Sequence, residues 1–184
     1  DGCRCMAFWE GDSVKLMTRG GKYWECSEHI AKELETVLPK GWVLDGELYV
    51  HGATFQEITK LVKKLRQESV TVQYHVYDVP RADYDEKFMG WENRKNAVEE
   101  FKTMANSCKS VVTVESHYAV CEQTVYRLQS EFLEEGYEGA IVREMDGEYR
   151  FGYRSNKLLK VKNFMDEEYE IVDFTTGVGK FEGS

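Results

Sequence analysis

Asp45-Gly46-Glu47 interrupts an apolar run that begins at Trp42 and ends at Val50. This stretch constrains the fold more than any other. On a β-strand, residues i and i+2 project from one face, so the two carboxylates aim at one place. Such a pair is costly to desolvate unless a cation, an arginine or a metal meets it. A chain built on this strand needs a polar, cation-bearing face beside its core.

The segments around it alternate between strand and helix patterns. Cys5 to Trp9 and Ser13 to Met17 read as a hairpin joined across Glu10-Gly11-Asp12, a Gly-containing turn between apolar runs. Thr18-Arg19-Gly20-Gly21 follows as a loop. Ser27 is the expected N-cap of a helix with Ile30, Ala31, Leu34, Val37 and Leu38 as its stripe, ended by Pro39-Lys40-Gly41. After the strand 42–50, a second helix is expected over Thr54 to Glu68, with Phe55, Ile58, Leu61, Val62 and Leu65 facing inward. Lys60, Lys63, Lys64 and Arg66 lie on the rest of it. They are either a solvated face or a contact for a phosphate backbone.

Val72 to Val79 reads as a strand stopped by Pro80, with His75, Tyr77 and Val79 on one face. Asp83 to Met89 reads as a polar loop, Trp91 to Ala105 as a helix and Val111 to Val114 as a strand. His117 reads as a surface or packing residue. Cys121 or Glu122 to Glu135 reads as a helix, ended by Gly136. Glu138 opens a further strand that Arg143 closes, and Glu148 to Phe151 is expected to pair back on it across Asp146-Gly147. In Leu158 to Lys162, Lys160 and Lys162 share a face. Like charges so placed repel unless an anion lies between them or the strand is a guarded edge. A last strand is expected from Glu168, leading to Gly177-Val178-Gly179-Lys180.

Composition narrows the partners. The 184 residues carry a formal net charge of -9, so contact with a polyanion must use local basic patches. Cys3, Cys5, Cys26, Cys108 and Cys121 are odd in number and lack metal-ligand spacing, which suits reduced thiols inside a cell. No apolar run approaches the roughly 20 residues of a membrane span.

Taken together, arginines near the start, two carboxylates on one strand, an aromatic on the next, a further glutamate and a lysine pair describe a site for a nucleotide phosphate in an α+β domain. Carboxylates hold a divalent cation or a ribose, cations clamp phosphates, and an aromatic face stacks a base. In that order the segments resemble the motifs of the ATP-dependent DNA ligases, phage-type and single-subunit, within the covalent nucleotidyltransferase superfamily. Asp1-Gly2-Cys3-Arg4 resembles the tail of Lys-x-Asp-Gly-x-Arg, and Thr18-Arg19-Gly20 the next arginine motif. Asp45-Gly46-Glu47, Tyr77-Asp78, Glu138-Gly139 and Lys160-Val161-Lys162 resemble the later ones.

The resemblance implies a ligase-type nucleotidyltransferase (ATP-grasp-like) domain over residues 1–164, with antiparallel sheets flanked by helices. Residues 165–184 would be the first hairpin of an OB-fold. It implies that both ends are truncated and that the nucleophilic lysine lies two positions before Asp1. The chain alone would then not form the lysyl-AMP intermediate. Arg4, Lys160 and Lys162 would be catalytic, and Arg4, Arg19, Glu47, Tyr77, Arg143, Lys160 and Lys162 would hold ATP or AMP. Glu47 and Glu138 would bind Mg²⁺ or Mn²⁺, and Asp45 would support the site. The expected partner is nicked double-stranded DNA, met by a monomer inside the cell, without membrane contact. An RNA ligase, a capping-type nucleotidyltransferase and a non-catalytic nick-binding module share much of this pattern.

Overall fold

A computed structural model describes residues 2–81, 90–153 and 155–162, with residues 170, 172, 173 and 176 beyond them. The expected polar loop 83–89 and nearly all of the expected hairpin 165–184 fall outside the described residues.

The fold is α+β. Strands β1 (Cys3–Glu10), β2 (Ser13–Thr18), β3 (Val43–Tyr49), β4 (Gln73–Arg81) and β5 (Val111–Thr113) form one sheet in the order β2-β1-β3-β4-β5. Strands β6 (Gly139–Arg143) and β7 (Leu158–Lys162) form a second, two-stranded sheet. Every pairing is antiparallel except β4 with β5. That parallel pair follows from its connection, since helix α3 (Trp91–Met104) carries the chain back before β5.

Helices α1 (Glu28–Val37), α2 (Phe55–Lys63) and α3 share the core with one face of the large sheet. Cys5, Ala7, Leu44, Leu48, Tyr74 and Val76 meet Ile30, Leu34, Ile58, Val62, Val98 and Phe101 there. The opposite face of β1, β3 and β4 is left for polar groups. Helix α4 (Glu122–Glu134) packs beside β6, and Gly136 after it has φ +87°.

Several expectations need correction. Ser27 does precede α1, but its hydroxyl is buried and caps nothing, because its backbone (φ -119°, ψ 37°) departs from the extended form of a capping residue. Helix α2 is shorter than expected. A capping box between Thr54 and Glu57 starts it, and Lys64 ends it in extended conformation. Leu65 therefore leaves the helical stripe and is 73% exposed, while Phe55 at the first turn is 54% exposed. Pro80 does not stop β4, which continues to Arg81. The register shifts between Val43 and Asp45, so two residues of β4 face one of β3 there, and β5 has already ended; the missing N–H interrupts no regular ladder. Glu148 to Phe151 form no strand; β6 pairs with β7 instead.

A second register shift, between Asp45 and Gly46, positions the functional face. Asp45 pairs with Asp78 and Gly46 with Val76, leaving Tyr77 as the extra residue of a β-bulge. The bulge resets the alternation. Val79 joins the core rather than sharing the face of His75 and Tyr77. Gly46 is required at this crossing, where a Cβ would lie 2.5 Å from the His75 carbonyl oxygen and 2.6 Å from the Tyr74 ring.

Candidate functional site

Asp45 anchors the polar face. It is 1% exposed, and four hydrogen bonds converge on it. Arg4 donates Nε to Oδ1 at 3.0 Å and Nη2 to Oδ2 at 2.7 Å, in a bidentate fork. The Tyr77 hydroxyl donates to Oδ1 at 3.2 Å and the Tyr149 hydroxyl to Oδ2 at 2.7 Å. The hydrogen bond to Asp45 is the first cause that holds the Arg4 guanidinium above its usual pKa. Burial, then the charge of Asp45, raises both tyrosine hydroxyls.

Glu47 projects from the same face as Asp45, as the i, i+2 rule requires, and stands opposite Arg4 in the β1–β3 ladder. It accepts the backbone N–H of Gly2 at 3.0 Å. Arg19 is exposed in the turn after β2. It follows Thr18, the partner of Cys5, so its backbone lies at the Arg4 end of the hairpin.

The small sheet brings the second half. Gly139 pairs with Lys162 and Ile141 with Lys160, so both lysines rise from one face of β7. The anion between them is the chain's own Glu138. Lys162 Nζ donates to Glu138 Oε2 at 2.9 Å, and Lys160 Nζ lies 3.9 Å from the same oxygen. Burial first, then its neighbour Lys162, lowers the pKa of Lys160, while Glu138 and Glu47 both act to raise it. Hydrogen bonding to Glu138 raises that of Lys162. Lys160 therefore feels the carboxylates of both sheets. Gly139 has φ +151°, and a Cβ there would stand 2.2 Å from the Val161 carbonyl oxygen. The glycine after Glu138 is what lets β6 and β7 approach.

Arg143 closes β6 but does not join the lysines. Its guanidinium pairs with Asp78 and lies 4.1 Å from the centre of the Trp91 ring and 5.7 Å from that of Tyr77. Its side chain is 12% exposed. Arg94 of α3 completes the cluster, donating Nε to Asp78 at 2.8 Å and Nη1 to the Gly147 carbonyl at 2.9 Å. This buried ion cluster ties β4, α3 and β6 together and backs the Tyr77 ring. Tyr149, Arg94 and Trp91 belong to the site although the sequence pattern did not mark them. Tyr149 lies in irregular chain and is 104 residues from its partner Asp45, so no periodicity points to it.

The donor set fits a divalent cation only in part. Among the described residues no three His, Cys, Asp or Glu side chains come together as a metal cage. Glu47 and Glu138 supply two carboxylates, which suits Mg²⁺ held jointly with phosphate oxygens and water. The half-buried Tyr77 ring, fixed through its hydroxyl and backed by Arg143, suits a stacked base.

Comparison with known proteins gives the family and the fold. The family model of the ATP-dependent DNA ligase domain matches residues 1–162. A protein named DNA ligase from African swine fever virus (isolate Tick/South Africa/Pretoriuskop Pr4/1996) is 31% identical over 184 residues, covering 96% of this chain and 43% of that protein. The chain thus spans less than half the length of that relative. The DNA ligase-adenylate of Chlorella virus superposes with a TM-score of 0.69 at 24% identity, over 96% of this chain and 65% of the other. A structure of the Lig E DNA ligases superposes at 0.74 with 24% identity, over 99% and 66%.

Proposed function

This chain belongs to the ATP-dependent DNA ligase domain family, and from that premise we propose that its two-sheet face holds the nucleotide of a strand-sealing reaction. The observation that carries the reading is the meeting of the two halves. Arg143 of β6 pairs with Asp78 of β4, and Tyr149 beyond β6 donates to Asp45 Oδ2 at 2.7 Å, so the chain around the small sheet that carries Lys160 and Lys162 is tied to the polar face of the large sheet.

In this reading a lysine amine attacks the α-phosphorus of ATP and pyrophosphate leaves. The AMP passes to the 5′-phosphate of a DNA nick, and the 3′-hydroxyl displaces it to join the strands. The attacking lysine in this reading is that of the Lys-x-Asp-Gly-x-Arg motif, whose tail Asp1-Gly2-Cys3-Arg4 resembles. Tyr77 stacks the adenine. Glu47 meets the ribose or a divalent cation. Lys160 and Lys162 take the α-phosphate, exchanging Glu138 for a stronger anion. Arg4 and Arg19 face the phosphates from the hairpin, with Arg4 aimed by Asp45. Arg143 has its charge committed to Asp78, so we assign it to positioning Tyr77 and not to contact with phosphate. Glu47 and Glu138 would hold a Mg²⁺ or Mn²⁺ ion, which would supply neutralisation of phosphate charge.

The partner in this reading is nicked duplex DNA, met inside the cell by a monomeric enzyme of replication, repair or recombination. Among the described residues no helix is long and apolar enough to cross a membrane. The test has two parts. Titration of AMP and ATP into the chain, followed by tryptophan and tyrosine fluorescence, should saturate and be lost in Tyr77→Ala. Sealing of nicked DNA, against nicked RNA, by a longer polypeptide containing this chain should require Lys162. Absence of nucleotide binding by a folded chain would overturn the reading.

A further inference from the structure

The Arg4 guanidinium meets the polar face along one edge only. Nε and Nη2 fork Asp45 Oδ1 and Oδ2 at 3.0 and 2.7 Å. Nη2 gives its second hydrogen to the Tyr149 hydroxyl at 3.0 Å. Among the described residues Nη1 makes no hydrogen bond. The carboxylate that Arg4 grips is 1% exposed, whereas the arginine side chain is 40% exposed. The gripping edge is sheltered, and the rest of the side chain is open to a ligand.

Attraction to Asp45 alone does not select this geometry. A guanidinium can fork a carboxylate from the side, with Nε and Nη2, or from its end, with Nη1 and Nη2. The end-on fork would consume Nη1. It would also need the Nη2 hydrogen that points toward Nη1, and that hydrogen is the one Tyr149 accepts. The same hydroxyl donates to Asp45 Oδ2 at 2.7 Å. It therefore bridges arginine and carboxylate in the side-on arrangement and blocks the other. Tyr77 already donates to Asp45 Oδ1 at 3.2 Å, so satisfying a buried carboxylate is not the sole effect of Tyr149.

Helix α3 holds Tyr149 in place. The Met145 carbonyl accepts the Glu92 N–H at 3.0 Å, and the Gly147 carbonyl accepts Arg94 Nη1 at 2.9 Å. The Gly147 N–H closes a turn onto the Glu144 carbonyl at 2.9 Å. The Arg94 guanidinium lies 5.6 Å from the centre of the Tyr149 ring, and Phe151 meets that ring edge-on with centroids 5.0 Å apart. The segment from Glu144 to Tyr149 thus runs from the first turn of α3 to Arg4, and the tyrosine hydroxyl is its end.

We propose that Tyr149 is a positioning residue for Arg4: its hydroxyl locks the side-on fork on Asp45 and so keeps Nη1 available to a phosphate of the bound nucleotide. The proposal deepens the nucleotide reading of this face and rests on it. No bond is made or broken in this step. The effect is preorganisation, since a guanidinium already held in one orientation loses less freedom on meeting an anion than one that exchanges between two forks.

The test compares AMP with adenosine, which differ by the phosphate alone. Isothermal titration, well below the melting temperature, is run on the parent chain, on Tyr149→Phe and on Tyr153→Phe, a control that removes an exposed hydroxyl nearby. Tyr149→Phe should weaken AMP binding by about three- to tenfold, the effect of one hydrogen bond, and leave adenosine binding unchanged. Tyr153→Phe should change neither. In an Arg4→Gln background, Tyr149→Phe should add nothing to the loss of AMP affinity, because the two residues act through one contact. With isotopically labelled arginine, the NMR signals of Arg4 Nη1 and Nη2 should coalesce at a lower temperature in Tyr149→Phe than in the parent. Unchanged AMP affinity in Tyr149→Phe, or equal weakening of AMP and adenosine, would overturn the proposal and leave the nucleotide reading standing. An unchanged coalescence temperature would overturn it too. If the parent binds neither ligand while Arg4 is released in Tyr149→Phe, the hold of Tyr149 on Arg4 stands and the nucleotide reading fails.

Discussion

The Tyr149 hydroxyl donates to Asp45 Oδ2 at 2.7 Å across 104 residues of sequence. This bond joins the loop after β6 to the centre of β3, and the same hydroxyl accepts Nη2 of Arg4 at 3.0 Å. Tyr149→Phe should lower unfolding stability by about 1.5 kcal/mol, the low end for a hydrogen bond to a charged group because the tyrosine is only half buried. Asp45→Ala should cost more, since it releases Arg4, Tyr77 and Tyr149 together. Urea unfolding of the two variants measures both. Equal losses would show that Tyr149 carries the whole contribution of Asp45.

Tyr77→Ala should weaken AMP binding by about 1–3 kcal/mol, the range for one base stacked on an aromatic ring. Tyr77→Phe keeps the ring and loses only a 3.2 Å hydrogen bond to Asp45. Its AMP affinity should match the parent in isothermal titration. A Tyr77→Phe variant as weak as Tyr77→Ala would assign the hydroxyl, not the ring, to the ligand.

Gly139→Ala should destabilise the β6–β7 pair. A methyl group would meet the Val161 carbonyl oxygen at 2.2 Å with φ at +151°, and overpacking of this kind costs about 1–3 kcal/mol. The amide exchange of β7 should rise well above that of β3, because the sheets are separate. Uniformly faster exchange across both sheets would contradict this.

Alkaline pH should unfold the protein through its tyrosines. Burial is the first cause that raises Tyr74, Tyr77 and Tyr149 above the ordinary tyrosine range, and Asp45 adds to it at each. The folded state then keeps protons that the unfolded state releases above a pH of about 10. Stability is full below that pH and falls as pH rises through the range between the unfolded and folded values. The midpoint of urea unfolding should drop steeply above a pH of about 10, less steeply in Tyr149→Phe. An unchanged slope in that variant would remove Tyr149 from the effect.

Lys162→Ala removes the 2.9 Å hydrogen bond to Glu138. Both groups are well exposed, so melting temperature should barely change, as for most surface ion pairs. AMP affinity should fall clearly, because the phosphate loses one of its two lysines. Unchanged AMP binding would reduce the lysine pair to a guard on an edge strand.

Most elements and the polar face were legible in the order of residues alone. Period-2 placement put Asp45 and Glu47 on one side of β3, and Lys160 and Lys162 on one side of β7, because side-chain alternation is a local property of the strand. The turn at Gly11 and the stop at Gly136 were equally local. What depended on partners distant along the chain was settled by folding. The bulge at Tyr77 arises from pairing with β3, and it sent Val79 to the core. Lys64 ended α2, which exposed Leu65. The pairing of β6 with β7 displaced the expected hairpin and left Tyr149 to reach Asp45. Arg143 could be read as a phosphate ligand from its motif alone. Only folding brought Asp78 and Trp91 against it, because a buried cation takes the anion nearest in space, whatever its distance along the chain.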